Sequence, residues 1–461
     1  MTAKAGSARQ VALNVLVRVA RDGAYADRAL DVALDRSALS DRDRGLATEL
    51  VYGTLRQQIY IDFLLSTLAD RPLKKTAPIV RESLRMGAYQ ILETRVPAHA
   101  AVNEAVALVQ HDFRHAAGFV NAVLRKLATL KEEGQLPRVS ERVADEREAL
   151  AIAGAHAPWI VQEVARRRGA DAARAFIAAN NQRPPLSLRV NESRATRDEV
   201  RRELEAQGIE VEVPPRVATG LIAKHAGDVG ALPGLAAGRF TVQDLGAQLI
   251  GELSRPEPGA FVLDACAAPG GKATHLAEMT PSATVLATDL HAGKTRLIDA
   301  HALRLGLANL RSGVVDATDP DALGMLLTDH GRDHVDLALV DAPCSGLGTL
   351  RRNPELRSSA KDRVKDLTRL QDQLLDAIAT AVRPGGFLVY AVCTITEAEG
   401  PERIAEFLKR NGDFEPSMPE SPVLAPLFVE HAGEAGRFTA VAMWTDLHDT
   451  DGFFAVRLRR R

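Results

Sequence analysis

Cysteine is scarce: only Cys266, Cys344 and Cys393 occur among 461 residues. An odd number confined to the C-terminal half excludes a disulfide framework and points to a reducing compartment. Their separations lack the close pairing of a structural zinc site, so no metal is expected. No run approaches the roughly 18 apolar residues of a membrane span, and Met1 to Ala8 lacks the apolar core of a secretory signal. The expected location is therefore cytoplasmic. Net charge is also nearly absent, at −2. A polyanionic partner would have to be held by local basic patches and not by a global field. There is no Gly-x-Gly-x-x-Gly turn for a pyrophosphate and no glycine-rich loop ending in Gly-Lys-Ser/Thr.

What is present is length for two to four domains and a globular composition, 46% hydrophobic and 26% charged. Residues 1–130 read as all helix. Ser40 and Asp43 resemble a capping box, after which Ala47, Leu50, Val51, Thr54 and Leu55 repeat at helical spacing. Val106, Val109, Phe113, Val120, Val123, Leu124 and Leu127 do the same, and Gly118 is expected to break two helices. Up to Lys126 there are 18 Lys and Arg against 13 Asp and Glu, leaving 40 against 47 beyond it. This basic excess is either a solvated helical surface or an RNA-facing patch.

Residues 131–238 read as linker helices and a small α+β subdomain. Charge dominates from Lys131 to Glu148; a helix over His156 to Gly169 follows, with Trp159 as a core anchor. Leu186 to Asn191 alternates as a strand, Arg197 to Gln207 reads as a helix, and Ile209 to Val213 makes a second strand. Arg189 and Asn191 are candidate RNA-backbone contacts, or else surface salt-bridge partners.

Residues 239–461 alternate strand and helix, which predicts an α/β domain with a mostly parallel sheet. Gly259 to Asp264 is a buried strand, and Ala268-Pro269-Gly270-Gly271-Lys272 turns into a helix whose first amides are free to meet a ligand. The next strand ends on Asp289, an acid placed to hold ribose hydroxyls. Without a phosphate loop, a nucleoside fits better than a nucleotide, and S-adenosylmethionine is the expected cofactor. Asp316 would then sit beside the adenine or, alternatively, cap the turn it opens. The apolar run Val335 to Val340 ends on Asp341, followed by Ala342-Pro343-Cys344-Ser345-Gly346. After an amphipathic helix over Lys361 to Val382 and the turn Pro384-Gly385-Gly386, the strand Phe387 to Val392 runs into Cys393. Parallel strands joined by one crossover lie side by side, so Cys344 and Cys393 can face one cleft, and either thiol could be the nucleophile. Arg351, Arg352, Arg357 and the tail Arg459-Arg460-Arg461 are candidate phosphate contacts, the tail alternatively a solvated terminus.

The stretches Asp264-Ala265-Cys266-Ala267-Ala268-Pro269-Gly270-Gly271-Lys272, Asp341-Ala342-Pro343-Cys344-Ser345-Gly346-Leu347-Gly348 and Tyr390-Ala391-Val392-Cys393-Thr394 together resemble the RNA 5-methylcytidine methyltransferases. The N-terminal block resembles the NusB-like RNA-binding domain through Ala8 to Val19, Glu49 to Arg56 and Gly118 to Arg125, which makes Arg9, Arg56 and Arg125 candidates by analogy. The resemblance implies a class I, Rossmann-like methyltransferase domain and transfer from S-adenosylmethionine to carbon 5 of a cytidine in 16S ribosomal RNA. A sister enzyme on transfer RNA and a non-catalytic RNA-binding antitermination factor are the rival readings. It implies cofactor contacts from Cys266, Ala267, Ala268, Pro269, Gly270, Gly271, Lys272, Asp289, Asp316 and Asp341. It makes Cys393 the nucleophile, Cys344 the residue assisting product release, and Asp341 the group that grips the base. The chain departs from relatives at Glu397-Ala398-Glu399-Gly400, where paired acids are followed by Asn, and at Val392, where Thr commonly precedes the nucleophile.

Overall fold

The computed structural model describes residues 7–110, 113–227, 229–433 and 436–461. The signal-peptide reading of Met1 to Ala8 falls outside them as far as Gly6. The chain forms two compact units: residues up to Gln182 with Leu350–Ala360, and Arg183–Thr349 with Lys361–Arg461.

The first unit is helical. Ser40 caps the long helix Asp41–Leu68, its side chain accepting the Asp43 amide. Leu13, Leu16, Leu50, Ile61, Leu64 and Leu65 are fully buried at its centre. The helix break lies at Arg114–Ala116, a short 3-10 turn, and Gly118 sits inside the helix Ala117–Glu132. Gly118 is exposed, and a single glycine costs a helix only about 1 kcal/mol, so it was no boundary. The stretch read as a charged linker contains the 3-10 turn Val139–Glu141 and the helix Glu146–Ala153, capped by Asp145. Pro158–Arg168 and Ala170–Asn180 continue the same unit, so it extends well past residue 130. Trp159 is half-buried and donates its indole N–H to the Ser359 carbonyl at 2.9 Å.

The segment Leu350–Ala360 explains why two expected phosphate contacts need correcting. Arg357 is buried, donating to the Arg56 carbonyl at 3.0 Å, the Asn181 side chain at 2.6 Å, the Leu350 carbonyl at 3.3 Å and the Asn180 carbonyl. Burial pulls its pKa down to about 9. Arg351 is buried too, and Arg352 half-buried. Arg357 thus belongs to the interior of the helical unit, and neither it nor the buried Arg351 is exposed to a phosphate.

The second unit carries two sheets. The smaller is antiparallel with strand order β2-β3-β1-β4, where β1 is Leu186–Val190, β2 Glu210–Glu212, β3 Gly220–Lys224 and β4 Phe240–Val242. Thr196 and Glu199 form a full capping box on the helix Arg197–Ala206. β3 and β4 escaped the sequence reading because they are short and lie among glycine and loop residues.

The larger sheet has nine strands. β5 (Phe261–Asp264), β6 (Thr284–Asp289), β7 (Leu310–Val314), β8 (Val335–Asp341) and β9 (Val382–Val392) run parallel in the order β9-β8-β5-β6-β7. β10 (Phe414–Pro416), β11 (Phe428–Gly433), β12 (Gly436–Met443) and β13 (Phe453–Arg460) extend it antiparallel beyond β9. β9 starts earlier than expected: Pro384-Gly385-Gly386 is absorbed as an irregularity opposite the register shift between Val335 and Leu337. Helices cover both faces of the parallel part, giving two apolar cores, as a class I methyltransferase requires. The Arg tail is a largely solvated terminus: Arg459 and Arg461 are exposed, while Arg460 pairs with Asp413 and Arg461 with Glu415, each at 2.9 Å.

Candidate active site

The carboxyl ends of β5, β6, β8 and β9 bring the sequence motifs together, as expected for ligand sites of open parallel sheets. After Asp264 the chain makes a tight loop with a cis Ala268–Pro269 bond, pinned by the Ala267 amide on the Thr288 carbonyl at 2.8 Å and the Gly270 amide on the Ala267 carbonyl at 2.7 Å. Gly270 has φ +105°, which side chains rarely adopt, and its missing Cβ would meet Ile298 Cα at 3.3 Å. Gly271 and Lys272 open the helix Gly271–Met279, leaving its first amides for an incoming group. Cys266 sits half-buried in this loop, and burial raises its thiol pKa, which makes it a poor thiolate.

Asp264 is completely buried, and neither carboxylate oxygen has a hydrogen-bond partner. Burial pushes its pKa to about 8, reinforced by Asp341 and opposed by Lys272; the Cys266 amide favours the anion without completing a hydrogen bond. Orphaned buried acceptors are rare in folded proteins, so Asp264 marks a place where a ligand donor is missing.

Asp289 ends β6 and accepts the His291 amide at 3.1 Å, with Lys294 at 3.4 Å. Asp316 is exposed and accepts from the Thr318 amide at 3.0 Å and the Thr318 hydroxyl at 2.6 Å, so it caps its turn. It also lines a cleft of about 500 Å³ with Leu290, Val314, Met325 and Leu326. Three of these apolar residues are markedly exposed, Leu290 at 56%, Val314 at 52% and Met325 at 66%. An apolar slot rimmed by a carboxylate suits a flat ring, while the hydrogen bonds of Asp316 show its turn-capping reading. Sequence inspection missed the slot because its residues come from the turn after β6, the end of β7 and the helix Pro320–Asp329.

At the ends of β8 and β9, the register pairs Asp341 with Ala391. Lys272 and Asp341 form an ion pair at 2.6 Å, and the ammonium lies 5.2 Å from the Phe453 ring centre. Burial disfavours the Lys272 cation, but Asp341 more than offsets this and its pKa rises. The Cys344 and Cys393 sulfurs are 3.4 Å apart and both half-buried. Contact with Cys393, burial and the charge of Glu399 raise the Cys344 thiol well above its usual value. The Gly348 amide donates to the Cys393 carbonyl at 2.9 Å, and the Gly452 amide to the Gly348 carbonyl at 2.7 Å.

Arg189 and Asn191 are not part of a surface. Arg189 is buried against Glu278, and the Asn191 amide donates to the Gly238 and Leu305 carbonyls at 3.0 Å each. Both are internal supports, which removes them as RNA contacts.

Comparison with known proteins matches this geometry. A family model described as 16S rRNA methyltransferase RsmB/F covers residues 252–459, the NusB family residues 6–129, and the RsmF/B ferredoxin-like domain residues 156–230. A probable ribosomal RNA small subunit methyltransferase B of Synechocystis sp. is 35% identical, covering 98% of this chain and 99% of its own. This chain belongs to the RsmB/F family. The probable Bacillus subtilis methyltransferase B is also 35% identical, over 99% of this chain and 100% of its own. Among solved structures, the family member resembles PH0851 with a TM-score of 0.82 and 25% identity, over 99% of this chain and 100% of that one. NSun6 from Pyrococcus horikoshii, solved with SFG, shares the fold at a TM-score of 0.56 and 19% identity, over 65% and 97%. The RsmB/F chain is therefore an S-adenosylmethionine-dependent rRNA methyltransferase. The orphaned Asp264, the glycine turn and the apolar slot fit that cofactor.

Proposed function

We propose that this chain methylates carbon 5 of a cytidine in small-subunit ribosomal RNA through a covalent adduct on Cys393. The observation carrying this reading is the pair of thiols 3.4 Å apart beside the Lys272–Asp341 ion pair. Carbon 5 of cytosine is a weak nucleophile and needs covalent activation. Cys393 adds to carbon 6, which drives electron density to carbon 5, while Asp341 hydrogen-bonds the base near ring nitrogen 3. Bound S-adenosylmethionine supplies the electrophilic methyl group. Lys272 holds Asp341 in place; Asp289 and Asp316 hold the nucleoside end, and Asp264 with the Cys266 to Lys272 loop holds the rest. After transfer, the carbon 5 proton departs to water and the sulfur–carbon 6 bond breaks, assisted by Cys344. The base must be unpaired or flipped out of its stack to enter.

The test is asymmetric. Cys393→Ala is expected to abolish methylation and adduct formation on unmodified small-subunit rRNA. Cys344→Ala is expected to accumulate a covalent protein–RNA species visible as a denaturation-resistant band. An active Cys393→Ala enzyme, or free release of RNA by Cys344→Ala, overturns the assignment, and bisulfite sequencing of rRNA from deletion cells locates the base.

A further inference from the structure

We infer that Glu399 is a positioning residue that locks the two cysteine loops together and keeps the reactive anion on Cys393 and off Cys344. This rests on the cysteine roles proposed above. Glu399 is fully buried on the loop after β9, in the stretch that departs from the family pattern. Its Oε1 accepts the Ser345 amide at 2.7 Å and the Gln371 side-chain amide at 3.3 Å. Its Oε2 accepts the hydroxyls of Ser345 at 2.5 Å, Thr396 at 2.9 Å and Thr394 at 3.0 Å. Ser345 follows Cys344 and Thr394 follows Cys393, and their hydroxyls lie 2.8 Å apart. Gln371 also donates to the Pro343 carbonyl at 2.9 Å, and Tyr390 donates its hydroxyl to the Glu399 carbonyl at 2.7 Å. One carboxylate thus ties together the neighbours of both thiols.

Five donors converge on the buried Glu399 carboxylate, and the field of such a group reaches its neighbours weakly screened. Facing Cys344 are Cys393, Glu399 and Tyr390; Lys272 and Asp341 lie on the Cys393 side, and the Arg403–Asp372 pair stands beyond Tyr390. Glu399 opposes a negative charge on Cys344, whereas Lys272 interacts favourably with a thiolate on Cys393. When one thiol of the pair loses its proton to solvent, the anion therefore resides on Cys393, with the Cys344 S–H pointing at it. The same S–H is then in place to stabilise Cys393 as it leaves the adduct.

The experiment measures alkylation of each cysteine in the full-length chain by iodoacetamide across pH, resolved by peptide mass spectrometry, in Glu399→Gln and Glu399→Ala. Glutamine is nearly isosteric: its oxygen still accepts the Ser345 amide, and two of the three hydroxyls can rotate to accept its two NH2 protons. In Glu399→Gln the Cys344 alkylation midpoint is expected to fall by about one pH unit. Its preference for Cys393 over Cys344 should shrink about tenfold at neutral pH. Glu399→Ala is expected to lose about 100-fold in methyl transfer as the loops drift, with S-adenosylmethionine affinity by calorimetry retained. An unchanged Cys344 profile in Glu399→Gln overturns the inference. Alkylation needs no RNA, so methylation by Cys393→Ala would sink the adduct mechanism while leaving the effect of Glu399 on thiol ionisation measurable in its own right.

Discussion

Replacing Arg189 by alanine tests whether this side chain is an internal brace or an RNA contact. Its five N–H donors all have acceptors. Nε and one NH2 proton reach the Glu278 carboxylate at 2.8 and 3.0 Å, and the others reach Gln243 at 2.5 Å, the Gly271 carbonyl at 2.7 Å and the Thr274 hydroxyl at 2.9 Å. Its side chain has no solvent exposure, and that of Glu278 is 7% exposed. Alanine leaves Glu278 buried without a counter-ion, a change that costs about 3–5 kcal/mol. At about 2–4 °C per kcal/mol for a unit of this size, the melting transition should drop by roughly 6–20 °C. Cofactor affinity should fall as well, because Arg189 holds the Gly271 carbonyl at the glycine turn. Lysine should recover only part of the loss, since a point charge cannot fill a planar fork. The double variant Arg189→Met with Glu278→Leu should lie well above either single removal, because it leaves no orphaned charge. Thermal melts by circular dichroism and calorimetry with S-adenosylmethionine measure both effects. A melting shift under about 1 °C with weakened RNA binding would refute the brace and restore a surface contact.

Asp264→Asn makes a pH-dependent prediction. The folded pKa of about 8 exceeds the ordinary 3.8. Between those values the folded protein retains a proton that the unfolded chain has released, so this stability is complete below about pH 4 and lost as pH rises through 8. Asparagine should remove that slope, leaving the variant more stable than the parent at pH 8 by an amount that shrinks toward pH 4, while S-adenosylmethionine binding weakens. Parallel slopes in urea melts across pH would count against it. Gly348→Ala places a Cβ 1.9 Å from the Gly452 carbonyl oxygen, so the loop carrying the Cys393 carbonyl contact must move; activity should fall about 100-fold. Gly324→Ala, with open space around it, should leave turnover unchanged and serves as the control. Val314→Asp in the apolar slot should raise the KM for S-adenosylmethionine at least about tenfold with little change in melting temperature, and an unaltered KM would remove the slot from the cofactor site.

β5, β6, β8 and β9 were legible because each holds a short apolar run ending in an acid or a turn, whereas β7, Leu-Arg-Ser-Gly-Val, lacks such a run and was read only at its end. The motifs around Cys266, Cys344 and Cys393 were legible for the same reason, and adjacency of the β8 and β9 ends followed from a single crossover helix. Arginine was a different matter. Arg189 and Arg357 look in sequence like surface cations, yet each is buried because acceptors distant in the chain converge on it. No local pattern records such convergence.

The sequence by itself determined the two kinds of architecture, the glycine turn, the strand-end acids and the two thiols facing one cleft, since these depend on neighbours within a few residues or on one connection. Tertiary structure alone decided that Leu350–Ala360 belongs with the helical unit, that the Asp264 carboxylate is buried without a completed hydrogen bond, that Leu290, Val314 and Met325 form one slot, and that Glu399 joins the loops of Cys344 and Cys393. Burial and hydrogen-bond closure are sums over residues far apart in the chain, and only the folded chain performs that sum.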